Sequence, residues 1–485
     1  TAPLNLTATA TGNTQINLAW NAVTGAASYN IYRSSAQAGP YTKINNSYNN
    51  RFNDTNLAVS TAYWYRVTAV NSAGEGAFSA STSATTLAGF NTYLNNARTY
   101  YSNEQYDQAI SECNQALLLN MNNAEVYVIR GASYLWLNQY PSALNDFNSA
   151  LTIDPNNAMA YSGKGWYYLY TEQFTDAITH FNTAISLDSA LTLSYKGRGL
   201  CYAFSGQPNS ALQDFSSFIQ HDPNNADAYF LRAATYFELD NNQSCIADYN
   251  QAILLNPQDG YAYNNRGAAY YMMGETQTAI NDYNRATQLV SNYFFAYNNL
   301  GVAYSDLGQY QNAVNAYNTA VSMEPQYALA YSNRGEAYAY LKQYQNALSS
   351  WAQAIAIDNE LEPAYNCRGW YYCNSNQYSL AVADFTTALQ LSANNSEDNS
   401  FNPWRSIHYQ VGSGRAGAFN GRGWSNYYLN MYNNAISDFT NCLSINPYYA
   451  NAYDGRGWSY YMLGNYTEAV SNFTNCIALA PNNID

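Results

Sequence analysis

Arginine recurs in this chain at intervals of 34 residues. Arg130, Arg198, Arg232, Arg266, Arg334 and Arg368 share one phase with Lys164, and Arg422 and Arg456 resume it after an offset. A row of guanidinium groups could bind an anion. However, an aspartate stands sixteen residues after six of these arginines: Asp146, Asp214, Asp248, Asp282, Asp384 and Asp438. Where the phase brings Leu300, the partner position is Ala316, so both charges vanish together. This co-occurrence reads as an internal Arg–Asp ladder. A planar guanidinium suits a bidentate carboxylate, and burying one member alone is costly. Arg334 facing Ser350 and Arg456 facing Asn472 are the exceptions where an anion could enter. The histidines, His180, His221 and His408, lie far apart, and His180, sixteen after Lys164, reads as a variant of the ladder. No Gly-rich phosphate loop, nucleophile elbow or Cys/His metal spacing occurs. Neither an enzyme nor a cofactor or metal is expected.

The elements that must position this ladder follow from the same period. With Ala124 as slot 1, the template recurs eleven times between Phe90 and Asn483. Nine copies run unbroken from 90 to 395, and two more start at Ala416 and Ala450. Slots 4, 8 and 11 share one face of a first helix, and slots 20, 24 and 27 share one face of a second. Slot 8 is always Gly or Ala, and slot 20 is Ala except at Cys245, so the two helices can approach closely. Slot 4 is Tyr except at Phe419. The Asp154-Pro155-Asn156-Asn157 turn ends a second helix. The pattern resembles the tetratricopeptide repeat family. That resemblance implies an all-α solenoid of eleven helix pairs, a right-handed superhelix with a groove lined by the first helices.

The resemblance also implies which slots face the groove. Slot 9 places Trp166, Trp370, Trp424 and Trp458 there, slots 12 and 13 place Tyr271, Tyr427, Tyr461 and Tyr170, and slot 5 places Asn264, Asn298 and Asn366. Such an aromatic, nearly uncharged groove fits an extended polypeptide or a glycan. It does not fit an acidic tail, which would need groove cations.

Residues 1–88 read as all-β. Leu4–Ala10, Ile16–Trp20, Tyr29–Arg33 and Tyr63–Val70 alternate apolar and polar residues between Gly, Asn and Ser turns. The early Trp20, the Tyr29-to-Arg33 strand and the late Tyr63-to-Asn71 strand resemble a fibronectin type III domain. This resemblance implies an immunoglobulin-like sandwich with Tyr63 or Tyr65 as its tyrosine corner. Leu87-Ala88-Gly89 is too short and too poor in Ser and Pro for a flexible tether.

Composition narrows the partners. The net charge is −14 and charged residues are only 11 % of the chain, against 51 tyrosines. Nucleic acid and anionic membranes need clustered cations, and no apolar run is long enough to span a bilayer. The uncharged surface and a first residue other than Met suit a secreted or cell-surface protein. Seven cysteines fall mostly at inward slots and read as buried free thiols. Asn5, Asn45, Asn53, Asn242, Asn394, Asn465 and Asn472 head Asn-X-Ser/Thr sequons, permitted glycosylation sites in a chain so rich in asparagine.

An aromatic-containing insertion, residues 396–415, separates the ninth repeat from the tenth, and Trp404 and Tyr409 in it are candidate contacts. The last helix keeps an apolar face of Val470, Phe473, Cys476 and Ile477 with no solvating helix after it. The leading expectation is therefore a structural protein assembling head to tail into a filament through that face. The alternative is a binding module holding a peptide, protein or glycan in the groove, and a weaker third is an adhesin.

Overall fold

The computed structural model describes residues 1–394 and 414–480. The chain divides into two compact units, Thr1–Gly197 and Arg198–Asp485.

The first unit opens with eight strands: β1 (Thr7–Ala10), β2 (Ile16–Ala19), β3 (Ser28–Ser34), β4 (Thr42–Ser47), β5 (Arg51–Asp54), β6 (Ala62–Asn71), β7 (Gly74–Glu75) and β8 (Thr82–Thr85). One sheet runs β1-β2-β5 and the other β4-β3-β6-β7, with β8 also on β6. Alternation turns Ile16 and Leu18, Tyr29 and Ile31, and Tyr65 and Val67 into a common core with Trp20. The first strand starts at Thr7 rather than Leu4, because Asn5 takes a left-handed backbone (φ 55°) that a strand cannot continue. Tyr63 makes the corner, accepting a hydrogen bond from the Ala58 amide at 3.1 Å. Tyr65 OH donates to buried Asp54 at 2.8 Å, and the Arg33 guanidinium donates to the same carboxylate. The connection to the helices is pinned to the strands, with Leu87 N donating to Gly12 O at 3.1 Å and Ser60 N to Leu87 O at 3.3 Å.

Helices follow in pairs. In the first unit these are α1 (Phe90–Ser102) and α2 (Tyr106–Leu119), α3 (Ala124–Trp136) and α4 (Tyr140–Ile153), and α5 (Ala158–Tyr170) and α6 (Phe174–Leu187). The division between units falls within α7 (Thr192–Phe204). The second unit continues with α8 (Pro208–His221), α9 (Ala226–Glu238), α10 (Asn242–Leu255), α11 (Gly260–Met272), α12 (Thr276–Leu289), α13 (Phe294–Asp306), α14 (Tyr310–Met323), α15 (Ala328–Tyr340), α16 (Tyr344–Ile357), α17 (Glu362–Asn374) and α18 (Tyr378–Asn394). After the undescribed segment come α19 (Gly414–Tyr428), α20 (Tyr432–Ile445), α21 (Ala450–Met462) and α22 (Tyr466–Leu479). The tenth pair thus begins two residues before the expected Ala416.

Three local devices repeat. Slot 15, between the helices of each pair, has positive φ in all eleven, from Glu104 and Asn138 to Asn430 and Gly464. Asparagine at the end of several repeats caps the next first helix, as when Asn123 Oδ1 accepts from Val126 N at 3.1 Å. The slot 24 ring is the core of every pair but the first, where Cys113 takes its place: Phe147, Phe181, Phe215, Phe385 and Phe439 are fully buried. Gly131 faces that ring within its own repeat, where a Cβ would lie 2.9 Å from Phe147 and 3.2 Å from Ala143 O. Gly163 closes over the same ring from the next repeat, where a Cβ would come within 2.3 Å of it. The small residues therefore seat one ring between two first helices.

Candidate interaction surface

The Arg–Asp ladder is present. Arg130 donates to Asp146 through Nε and Nη2, both at 2.7 Å, and Arg266 to Asp282 at 2.8 and 2.7 Å. Arg198–Asp214, Arg232–Asp248 and Arg368–Asp384 pair in the same bidentate way, and Arg422 makes three bonds to Asp438. The aspartates are buried at 4–7 % exposure, which places the pairs inside the array rather than in a ligand path. Four of these guanidinium groups also reach back one repeat: Arg130 Nη1 donates to Asn114, Arg232 to Ser216, Arg266 to Asn250 and Arg422 to Thr386. Tyrosines at slot 4 stack over the cations, Tyr263 5.2 Å from Arg266 and Tyr331 4.8 Å from Arg334. At these four arginines the ladder thus ties a pair to the one before it, a link the sequence reading missed.

The exceptions are also filled. Arg334 donates to Ser350 at 3.2 Å and to Asn318 at 2.9 Å, and Arg456 to Asn472 at 2.7 Å and to Thr440 at 3.2 Å. Neither offers an open anion site. His180 does not join the ladder: its Nδ1 lies 2.8 Å from the Asp176 carbonyl, its ring packs on Tyr168, and burial first, then the Lys164 charge, lower its pKa.

The groove expectation needs correction at its asparagines. Asn264, Asn298 and Asn366 are 0 %, 3 % and 1 % exposed and cannot line an open surface. Asn264 and Asn298 lie between neighbouring first helices. Asn299 Nδ2 donates to Asn264 Oδ1, and Asn333 Nδ2 to Asn298 Oδ1, both at 3.1 Å. Asn265 donates to the hydroxyl of buried Tyr249, which replaces the slot 24 phenylalanine of other repeats. Asn264 and Asn298 are therefore inter-repeat staples, whereas the Asn366 carbonyl oxygen is enclosed with no hydrogen-bond partner among the described residues.

The tryptophans are half-core and half-surface. Trp166, Trp370, Trp424 and Trp458 set their edges against Phe181, Phe385, Phe439 and Phe473, with ring centroids 5.3–5.8 Å apart. Trp424 Nε1 also donates to Asn451 at 2.6 Å. Tyr427 packs among Trp424, Tyr428 and Tyr432, while Tyr461 stays exposed beside Trp458.

Exposed aromatic rings recur at slot 13 in both units. Trp136, Tyr170, Tyr340 and Tyr428 are 55 %, 43 %, 58 % and 51 % exposed. Each stacks on the slot 17 tyrosine of the preceding repeat: Tyr106, Tyr140, Tyr310 and Tyr378. In the second unit, a cleft of about 250 Å³ opens beside the Tyr310–Tyr340 pair, lined by Tyr271, Val302, Ser305, Asp306, Tyr310, Tyr317, Glu336 and Tyr340. Glu336 occupies the slot that is Trp in four other repeats. Burial pushes its carboxyl up to about 7.

Among the assembly candidates, Val470 and Ile477 are 64 % and 56 % exposed, and Cys476 is half-buried. Phe473 is turned inward, against Trp458 and Gly457, so it does not belong to a free face. Trp404 and Tyr409 lie outside the described residues. Among the sequons, Asn472 is corrected: it is 6 % exposed and holds Arg456 and the Glu468 carbonyl, leaving no room for a glycan. Asn242 is half-buried with its carbonyl oxygen enclosed, while Asn5, Asn45, Asn53 and Asn465 are exposed. The Asn394 side chain lies outside the described set. All seven cysteines are free, and burial raises the thiols of Cys113 and Cys442 to about 12 and about 11, well away from reactive thiolates. Among the described residues, no helix is long and apolar enough to cross a membrane.

Comparison with known families agrees with this architecture. The fibronectin type III domain matches residues 1–85, and tetratricopeptide repeat descriptions match 94–158, 226–259, 260–293, 303–341 and 450–483. The chain is a tetratricopeptide repeat protein with an N-terminal fibronectin type III domain. Among curated relatives, a poly(3-hydroxybutyrate) depolymerase of Ralstonia pickettii is 40 % identical over 20 % of this chain and 19 % of its own length. An amylopullulanase of Thermoanaerobacterium saccharolyticum is 42 % identical over 15 % of this chain and 6 % of its own. The chain spans under a fifth of the length of these relatives. Solved structures with a similar course include the Cut9–Hcn1 hetero-tetramer of APC/C (15 % identity, 82 % of this chain and 95 % of that one, TM-score 0.46). Yeast Tom70 is similar at 13 % identity over 81 % and 92 % (TM-score 0.41). YrrB, described as having an unusual peptide-binding site, is similar at 20 % over 38 % and 95 % (TM-score 0.34).

Proposed function

We propose that the array is a non-enzymatic interaction scaffold that holds a partner polypeptide on its exposed, stacked rings. The observation that carries this reading is the stacking of Trp136, Tyr170, Tyr340 and Tyr428 on the repeat before, in solvent. Stacking holds each ring rigid, so little side-chain entropy is lost when a partner docks, and Tyr and Trp dominate interface energetics. A sparse surface charge favours contact through rings and amides over ion pairing. Export to the cell surface or medium fits both the low charge and the fibronectin type III likeness to enzymes that degrade polymers.

The test is a peptide display selection on the full chain. Selected peptides are expected to lose about tenfold or more in affinity with Tyr340→Ala plus Tyr428→Ala, while the melting temperature stays within a few degrees. Failure to select any peptide, or selected peptides indifferent to those rings, would sink the reading.

Head-to-tail self-association into a filament is a second reading. One observation favours it: Val470 and Ile477 stand exposed together on α22. Light scattering across a concentration series checks it. Growth in mass that Val470→Asp plus Ile477→Asp abolishes would support it, and constant mass would remove it.

A further inference from the structure

The cleft among α11, α13 and α15 differs chemically from the rest of the surface. Its walls are rings: Tyr271, Tyr310 and Tyr340, the last two stacked at 4.5 Å and nearly parallel. Two carboxylates, Glu336 and Asp306, share it, and no Lys or Arg lines it. Asp306 accepts a hydrogen bond from Thr276 at 3.2 Å and so keeps a fixed position at the mouth. The Arg of this repeat is committed elsewhere, to Ser350 and Asn318. Everywhere else in the array the buried acids of the ladder are matched by an arginine; here an acid is set into a tyrosine-lined hollow without one. Desolvation is the only cause acting on the Glu336 carboxyl, so no neighbouring cation offsets the cost of its charge.

We propose that this cleft takes the ammonium or guanidinium end of a lysine or arginine side chain of the bound polypeptide, a proposal that rests on the scaffold reading above. Tyrosine faces attract cations through their quadrupole, and Glu336 and Asp306 supply the opposite charge. The net charge of −14 draws such a partner in. Tyr310 and Tyr340 are at once a stacked, solvent-facing pair and part of the cleft wall, so a chain lying across that pair can drop one long side chain into it.

Calorimetry on the full chain at pH 8 tests the proposal. The probes are a short alanine peptide with a central lysine, the same peptide with norleucine, and n-butylammonium. The lysine peptide is expected to bind about tenfold more tightly than the norleucine peptide, a difference of about 1.4 kcal/mol. Glu336→Gln should erase that preference while leaving the melting temperature equal or higher, which rules out misfolding as the cause. Equal binding of both peptides, weakened by Tyr340→Ala, overturns the cation site and leaves the scaffold reading standing. Lysine preference that survives Glu336→Gln overturns it too. Butylammonium binding as tightly as the lysine peptide overturns the polypeptide as occupant. Binding of neither peptide overturns the cation site and counts against the scaffold reading as well.

Discussion

The pair α11/α12 and the pair α15/α16 are built on one template and differ in where the acid sits. In the first, Arg266 holds Asp282 in a bidentate pair, braced by Asn250. In the second, Arg334 has only Ser350 and Asn318 for partners, and the acid appears instead at Glu336, in the cleft. The slot that carries Phe or Tyr in every other repeat but the first carries Trp351, whose Nε1 donates to the Ser332 carbonyl at 3.2 Å. Moving one carboxylate within the template, from frame to cleft, changes its job from tying helices together to presenting charge. The template tolerates this because the ring core and small-residue contacts remain: Gly335 faces Trp351 as Gly267 faces Tyr283.

The largest expected effect breaks the first pair. Asp282→Ala leaves the Arg266 guanidinium half-buried without its carboxylate and should cost about 3 kcal/mol. Loss of protection from hydrogen exchange should centre on α11 and α12, since neighbouring repeats couple only through their interfaces. A global loss of less than about 1 kcal/mol would show the ladder to be ornamental, as exposed pairs are.

Glu336 gives the next effect, and it depends on pH. Its folded-state carboxyl titrates near 7, above its ordinary value of 4.5. The protonated form therefore favours the fold. This contribution is complete below about pH 4.5 and is lost as pH rises through about 7. The groups facing it are Asp306, Tyr317, Tyr340 and Cys367, none of them a cation. Glu336→Gln should thus be more stable than the parent at pH 8 by about 2 kcal/mol and nearly equal at pH 4. Melting both proteins across this range checks the sign, because all other titrating groups cancel in the difference.

How much of this was legible in the sequence depends on whether one residue type does one job. The ladder was, because an arginine cannot be buried repeatedly without its carboxylate, so the two types rise and fall together. The close helix contact was, because only Gly or Ala fits slot 8. The backward link was not: Asn114, Ser216, Asn250 and Thr386 share one role through a hydroxyl or amide, and no single letter marks it. The asparagines were misplaced because Asn264 and Asn298 were read from their own slot alone. The signal lay in the next repeat, where Asn299 and Asn333 supply the partners. The cleft was missed because Glu336 is a single departure in a slot that otherwise draws notice for tryptophan.

Ser350→Asp sharpens the comparison from the other side. It rebuilds in α15/α16 the pair that α11/α12 already has, at a position where Arg334 Nε points with a 3.2 Å bond to the serine hydroxyl. A gain of about 1 kcal/mol is expected from the added charge-assisted bonds, less the cost of burying the new acid. Denaturant titration reads it, and a loss instead would mean that Trp351 has taken the room the carboxylate needs.

The smallest effect lies in the turn of the same pair. Lys342 sits at slot 15 with φ 58°, where Gly274 and Gly308 stand in the two preceding pairs at 79° and 70°. Its side chain is exposed and its amide bonds back to the Ala339 carbonyl, a bond that glycine keeps. A left-handed conformation costs an L-residue roughly 1 kcal/mol, and the greater freedom of glycine in the unfolded chain offsets part of the relief. Lys342→Gly should therefore stabilise by about 0.5 kcal/mol, and Gly308→Lys should destabilise by a similar amount. Stabilisation by the first change and destabilisation by the second would tie the effect to backbone geometry. The reverse pair of signs would tie it to the lysine charge, which is favourable in a chain of net −14.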